Sequence, residues 1–239
     1  VIYSGRLPTS SKQRGSCRMN TADIAPRGGG ASNDALVGDP PAGGVAFWTA
    51  KRTFDDVGSL LLTPILLTAA AVLLLANPLF NRGPLIFSQR RMGRHGRPFM
   101  AYKFRTMRPA GRAKRTVSEG VEIDRITPLG GPLRRLRIDE LPQILNVLRG
   151  EMSLVGPRPD VYEHAEIFSE RIPGYRARHA VRPGISGLAQ VVQGYAEGVE
   201  MTARKTRYDL AYIRRAGWRL EVFVVARTVL VVLTGFGAR

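Results

Sequence analysis

The chain has 239 residues, 44% of them hydrophobic, enough for one ordinary core with extensions, which excludes a wholly disordered protein. Its 36 Lys and Arg against 19 Asp and Glu leave a formal charge of +17, and only Lys12, Lys51, Lys103, Lys114 and Lys205 are lysines. Such an arginine excess suits nucleic acid, anionic lipid or a phosphorylated small substrate, or reflects codon usage; the single Cys17 excludes an intrachain disulfide, and His95, His164 and His179 lack zinc-site spacing.

Residues 1 to about 45 carry Gly28-Gly29-Gly30, Pro40-Pro41 and Gly43-Gly44 without apolar periodicity, and a disordered tail is predicted there. Val57 to Asn81 is a run of 25 residues without a charge. As a straight helix it measures about 37 Å, enough to cross a hydrocarbon core of roughly 30 Å. Thr63-Pro64 interrupts it, and basic residues flank both ends, Lys51 and Arg52 before, Arg82, Arg90, Arg91 and Arg94 after. Because cations favour the cytoplasmic side, both flanks are expected there, and a helix broken at Thr63-Pro64 that enters and leaves by one face satisfies both observations. An ordinary kinked span is the alternative.

Phe99 to Met107 reads as a strand, with Met100, Tyr102 and Phe104 alternating and Lys103 and Arg105 sharing a face. Arg108 to Arg125 is polar, a predicted surface loop. In Pro132–Gly150 the spacing of Leu133, Leu136, Leu141, Ile144, Leu145 and Leu148 is helical, but Pro142 splits it into a short turn and a second helix starting near Asp139. Asp139 then reads as an N-cap and Glu140 as a partner of the helix dipole. That leaves Arg134, Arg135 and Arg137 unexplained, since cations oppose a helix N-terminus unless an anion sits between them. Pro157-Arg158-Pro159 holds Arg158 on a stiff turn, ready for an anion or simply solvated. Helices are predicted over Val161–Glu170, Met201–Arg215 and Val222–Leu233, and a strand over Leu188–Val192. Together these elements indicate an α+β domain with helices in the majority.

Six motifs stand in order: Lys51-Arg-Thr-Phe-Asp55, Lys103-Phe-Arg-Thr-Met107, Ile138-Asp-Glu-Leu-Pro-Gln143, Asn146-Val-Leu-Arg-Gly-Glu-Met-Ser153, Val155-Gly-Pro-Arg-Pro159 and Arg182-Pro-Gly-Ile-Ser-Gly-Leu-Ala-Gln190. In these the chain, from Lys51 to about Gly235, resembles the monotopic phosphoglycosyl transferases, bacterial sugar transferases that initiate exopolysaccharide, O-antigen and glycoprotein glycan assembly. The resemblance implies a re-entrant membrane helix bent at Thr63-Pro64, where the family carries Ser-Pro. It also implies a two-step exchange in which Asp139 attacks the sugar-bearing phosphate of a UDP-sugar, expels UMP and passes the phosphosugar to a polyprenyl phosphate. Asp139 becomes the nucleophile and a Mg²⁺ ligand, and Glu140 its acid/base or positioning partner. Arg134 and Arg158 fall at anion-binding positions, with Lys103, Arg105, Arg182 and Asp209 as second-rank candidates. The stretch Val191-Val-Gln-Gly-Tyr195 departs from the family and is expected to bear on the choice of sugar or base.

The expectation is therefore a tail over 1–45, a re-entrant membrane helix over 46–82 and a small catalytic domain with amphipathic interfacial helices over 83–239. It is placed at the cytoplasmic face of the bacterial inner membrane, with UDP-sugar, polyprenyl phosphate and membrane lipid as partners. Self-association is left open. Nucleic acid is not expected, because aromatic residues are not interleaved with the arginines and no recognition helix is apparent. The alternative function is a non-catalytic, membrane-bound basic scaffold of a glycan-assembly complex, which has no need of Asp139.

Overall fold

The computed structural model describes residues 41–81, 83–108, 123–194 and 198–234. The predicted tail up to residue 40, most of the predicted polar loop (109–122) and Tyr195 lie outside the described residues. The first helix already begins at residue 44, inside the predicted tail.

Helix α1, Gly44–Phe80, has 37 residues and is about 55 Å long if straight. It is the one helix among the described residues long and apolar enough to cross a membrane. Where the sequence predicted a break at Thr63-Pro64, the helix continues. Pro64 leaves the Leu60 carbonyl without its usual donor, which is where a proline kinks a helix without ending it, and beside it Thr63 Oγ1 donates to Ser59 O at 2.8 Å. Leu61, Leu75 and Leu79 are 72%, 79% and 75% exposed, a surface that calls for an apolar medium.

Both halves of α1 are tied to the rest of the protein. Near its start, Lys51 Nζ donates to Glu221 Oε2 at 2.7 Å, both groups buried, and Asp55 Oδ1 accepts the Leu154 N–H at 3.0 Å. Farther along, Leu66 and Leu73 pack with Phe104, Leu133 and Ile144, and Asn81 Nδ2 donates to Arg105 O at 2.7 Å.

Strands β1 (Ile86–Met92) and β2 (Pro98–Phe104) form an antiparallel hairpin with Ile86 opposite Phe104 and Met92 opposite Pro98. β2 was legible; β1, whose Gln89-Arg90-Arg91 reads as a basic flank, was not. Phe99 and Ala101 are buried while Met100 is 42% exposed. Helix α2 (Gly130–Arg135) and helix α3 (Gln143–Leu148) follow, separated by a 3-10 turn over Ile138–Glu140. The second helix thus starts after Pro142 rather than near Asp139, as expected of a residue whose missing N–H is harmless only at a helix start.

Strands β3 (Ser153–Val155) and β4 (Gly184–Ser186) pair in parallel. They are followed on the β3 side by Gly156, which crosses Gly184 so closely that a Cβ on Gly184 would lie 2.1 Å from Gly156 N. Glycine at the crossing lets the Pro157-Arg158-Pro159 turn lie against β4. Helix α4 covers Tyr162–Arg171, α6 Gly198–Arg214 and α7 Trp218–Thr234, close to expectation. Leu188–Val192, read as a strand, lies instead in helix α5, Leu188–Gln193. Its buried Leu188 and Val191 fall at helical spacing and join Val155, Tyr212, Leu220 and Val224 in one core cluster, which a strand would have split between two faces. The class is α+β and mostly helical, as the sequence indicated.

Candidate active site

Arg137 adopts a left-handed backbone, φ 58°, and from it the 3-10 turn carries Asp139 and Glu140 inward. Leu133 of α2 and Ile144 of α3, both buried in the cluster beneath α1, hold the turn from either side. Asp139 and Glu140 are 7% and 6% exposed. Asp139 makes no N-cap bond, and neither the turn nor α3 has a side-chain cap.

Adjacent in sequence, the two acids have different surroundings. Glu140 accepts from Lys103 Nζ at 2.7 Å and from Arg158 Nη1 at 3.0 Å, and its Oε1 also meets Arg158 Nη2. Arg137 Nη1 stands farther off, 3.9 Å from Oε2. Burial alone pushes Glu140 up, but Arg158 and Lys103 outweigh it and hold the carboxyl well below the usual range. Asp139 goes the other way, raised by burial and by the charge of Glu140, with Lys103, Arg158 and Arg134 opposing. Its Oδ1 is buried without a hydrogen-bond partner. One acid is therefore a fixed anion that gathers cations, and its neighbour is a carboxyl oxygen awaiting a partner.

The structure brings Arg134, Arg158 and Lys103 to this pair, since all three act electrostatically on Asp139. It does not bring Arg105, Arg182 or Asp209. The Arg105 guanidinium is spent on Pro84 O at 2.8 Å and on Asn81 O, closing the exit of α1. Arg182 Nε donates to Gly150 O at 2.9 Å. Asp209 is 1% exposed, and its Oδ2 lies 2.7 Å from Arg178 Nη2.

Arg178 was invisible to sequence reasoning. It is fully enclosed, donates to the main-chain carbonyl of Arg158 at 2.6 Å, and meets Asp160 as well as Asp209. Asp160 in turn accepts from Tyr175 OH at 2.7 Å and from Lys205. The only sequence cue is that Asp160 directly follows Pro157-Arg158-Pro159. This network grips the turn from behind while its arginine faces Glu140.

A Mg²⁺ ion would find a hard oxygen donor in Asp139 Oδ1, which is buried without a hydrogen-bond partner. Among the described residues no group of three or more His, Cys, Asp or Glu gathers to cage a metal. The ion would therefore be held by Asp139 and by phosphate oxygens of a substrate, which matches its habit of taking one or two carboxylates plus phosphates.

The profile of the bacterial sugar transferases matches residues 46–235. The chain belongs to that family. Among curated relatives of this chain, the UDP-N-acetylgalactosamine-undecaprenyl-phosphate N-acetylgalactosaminephosphotransferase of Aeromonas hydrophila is 43% identical over 198 residues, 79% of the chain and 45% of the relative. The UDP-glucose:undecaprenyl-phosphate glucose-1-phosphate transferase of Caulobacter vibrioides is 43% identical over 196 residues, 80% of the chain and 72% of the relative. An exopolysaccharide production protein of Rhizobium leguminosarum is 37% identical over 194 residues, 77% of the chain and 95% of the relative. The chain thus spans less than half of the Aeromonas protein and most of the Rhizobium one.

Proposed function

We propose that this sugar transferase moves a sugar-1-phosphate from a UDP-sugar to polyprenyl (undecaprenyl) phosphate by way of a phosphosugar carried on Asp139. The observation that carries the reading is the division of labour between neighbouring acids: Glu140 is saturated by Arg158 and Lys103, while Asp139 Oδ1 has no partner. In the first step an Asp139 oxygen bonds to the sugar-bearing phosphorus, the bond from that phosphorus to the bridging oxygen breaks, and UMP leaves with the electron pair. In the second, a phosphate oxygen of the lipid attacks the same phosphorus and the Asp139 oxygen departs, restoring the carboxylate. Arg158, Lys103 and Arg134 supply fixed positive charge beside the transferred group, where anionic oxygens crowd. Mg²⁺ held by Asp139 and the diphosphate would neutralise the leaving charge. Glu140, already an anion bridging two cations, serves as a positioning residue rather than a proton carrier.

The names of the Aeromonas and Caulobacter relatives support a UDP-sugar donor and an undecaprenyl phosphate acceptor. With polyprenyl phosphate and Mg²⁺, the detergent-solubilised protein is expected to release UMP from at least one member of a UDP-sugar panel, and chelation to stop it. Silence across the panel would return the protein to the scaffold reading.

We further infer that α1 is re-entrant and that the catalytic unit sits at the cytoplasmic face of the inner membrane. Support comes from the two ends of α1, which both bond to that unit, Lys51 and Asp55 at one and Asn81 at the other. A helix that simply crossed would carry one end away. Tags at residue 20 and at the C-terminus are expected to be protected together in intact cells; finding them on opposite sides establishes a crossing helix.

A further inference from the structure

A cavity of about 270 Å³ opens between α1 and α7 and runs to the catalytic turn. Phe54 and Leu62 of α1 form one wall, Val225 and Val229 of α7 the other, and Ile144 and Ile185 line it between them. Phe54, Val225 and Val229 are 41%, 40% and 53% exposed, so the walls pass without a break into outward apolar surface. Ser186 and Thr228 also line it, yet their hydroxyls bond each other at 2.6 Å, which withdraws much of their polarity from an occupant. At the inner end stand Glu140 and Arg137, the latter the one cation among the lining residues.

We propose that this groove is the acceptor site, seating the first isoprenoid units of a polyprenyl phosphate with its phosphate at Arg137. The proposal rests on the transferase reading above. An occupant must place hydrocarbon along two helices, extend beyond the groove into an apolar medium beside α1, and end in an anion at the catalytic turn. A single-chain lipid phosphate monoester has that form, whereas a phospholipid presents two chains joined through a diester.

Arg137 is suited to the headgroup for two reasons. Its guanidinium is 3.9 Å from Glu140 Oε2, beyond hydrogen-bond length, so its donors are not consumed as those of Arg158 are. Its left-handed backbone, unusual for a residue with a side chain, comes immediately before the catalytic turn and places it at the groove. The incoming lipid phosphate is thereby led to the face of the transferred phosphorus next to Glu140, while hydrocarbon contact alone selects the chain.

The test uses the full chain in detergent and a polyprenyl phosphate bearing a diazirine in its first isoprenoid units. Labelling is expected on peptides containing Phe54–Leu62 and Val225–Val229, competed by unlabelled polyprenyl phosphate and not by polyprenol or phosphatidylglycerol. Val229→Trp, which fills the groove from an exposed position, is expected to raise the acceptor KM tenfold or more while the UDP-sugar KM changes less than twofold. Arg137→Ala is expected to raise the acceptor KM similarly and to abolish the preference for phosphate over polyprenol in labelling. Labelling elsewhere, equal competition by phosphatidylglycerol, or an unchanged acceptor KM in Val229→Trp overturns the groove. The labelling pattern of the unmodified chain decides the matter even where a variant fails to fold. Competed labelling of the groove without any sugar-phosphate transfer would instead overturn the transferase reading and leave the lipid-phosphate site standing.

Discussion

Asp139→Asn is expected to cut UMP release by at least about a thousandfold, as loss of a nucleophile does where no neighbour can replace it. The amide keeps the shape of the side chain but offers neither the negative charge nor a competent attacking oxygen. Glu140 cannot substitute, because both its oxygens are bound by Arg158 and Lys103. The loss should come without unfolding. Burial and the charge of Glu140 already oppose ionisation of Asp139, so a neutral amide relieves that tension, and thermal stability is expected to hold or rise. Glu140→Gln is expected to behave differently, losing stability together with activity, because the half-buried Lys103 and Arg158 are left without their buried anion. Acid-quenched protein incubated with UDP-sugar alone should carry a sugar-phosphate adduct on the peptide containing Asp139, absent from the variant. Turnover above a tenth of the parent's in Asp139→Asn, or an adduct on another residue, would remove Asp139 from the nucleophile's role.

The motifs that bear chemistry were legible because they are local. Pro142 predicted the division of the 132–150 stretch, and the leucine and isoleucine spacing predicted its helical character, with Leu133 and Ile144 buried and Leu136 and Leu145 left outside. What escaped were features set by partners distant in sequence. β1 has no alternation to betray it, since Gln89, Arg90 and Arg91 follow one another; it exists because β2 needs a second strand for its main-chain groups. Leu188–Val192 is too short an apolar run for periodicity to separate helix from strand, and packing against α6 and α7 decides it. The left-handed turn at Arg137 carries no cue, since asparagine or glycine would ordinarily announce it. Arg178, Asp160, Lys205 and Asp209 meet only once α4, α6 and the 3-10 turn over Tyr175–Ala180 have packed.

The arginine excess also takes on a more exact meaning. Arg52 serves the end of α3, donating to Val147 O at 2.7 Å and Leu148 O at 3.3 Å, where a cation suits the helix dipole. Arg90 lies over the Tyr162 ring at 4.1 Å and Arg149 over Tyr102 at 5.1 Å. Arg105 closes the exit of α1. These are structural duties for which the delocalised, weakly hydrated guanidinium suits better than an ammonium. Net charge therefore overstates the anion-binding surface, and the cations that matter for chemistry are the few that reach the Asp139-Glu140 turn.

Arg178→Leu is expected to cost about 3–5 kcal/mol, the penalty for breaking a buried ion network by removing one partner. Arg178 and Asp209 side chains are each 1% exposed, so water cannot replace the lost contact. In a protein of this size that corresponds to a fall of roughly 10 °C or more in Tm. The sign of the pH dependence follows from the carboxylates. In the parent, burial pushes Asp160 up, but Lys205 and Arg178 overcome it and hold the group far below its ordinary value. That stability is present above about pH 4, the unfolded value, and is lost as pH falls through the folded one. Without Arg178, Asp160 and Asp209 are driven upward, so the variant recovers as acid protonates them, and the gap in Tm should narrow from pH 8 to pH 5. A gap that is constant with pH would mean that Arg178 acts by packing alone. Arg178→Lys separates fold from positioning, since it keeps the charge but cannot span Asp160, Asp209 and the Arg158 carbonyl together. It is expected to retain most of the Tm while loosening the Arg158 turn, which a raised UDP-sugar KM would register.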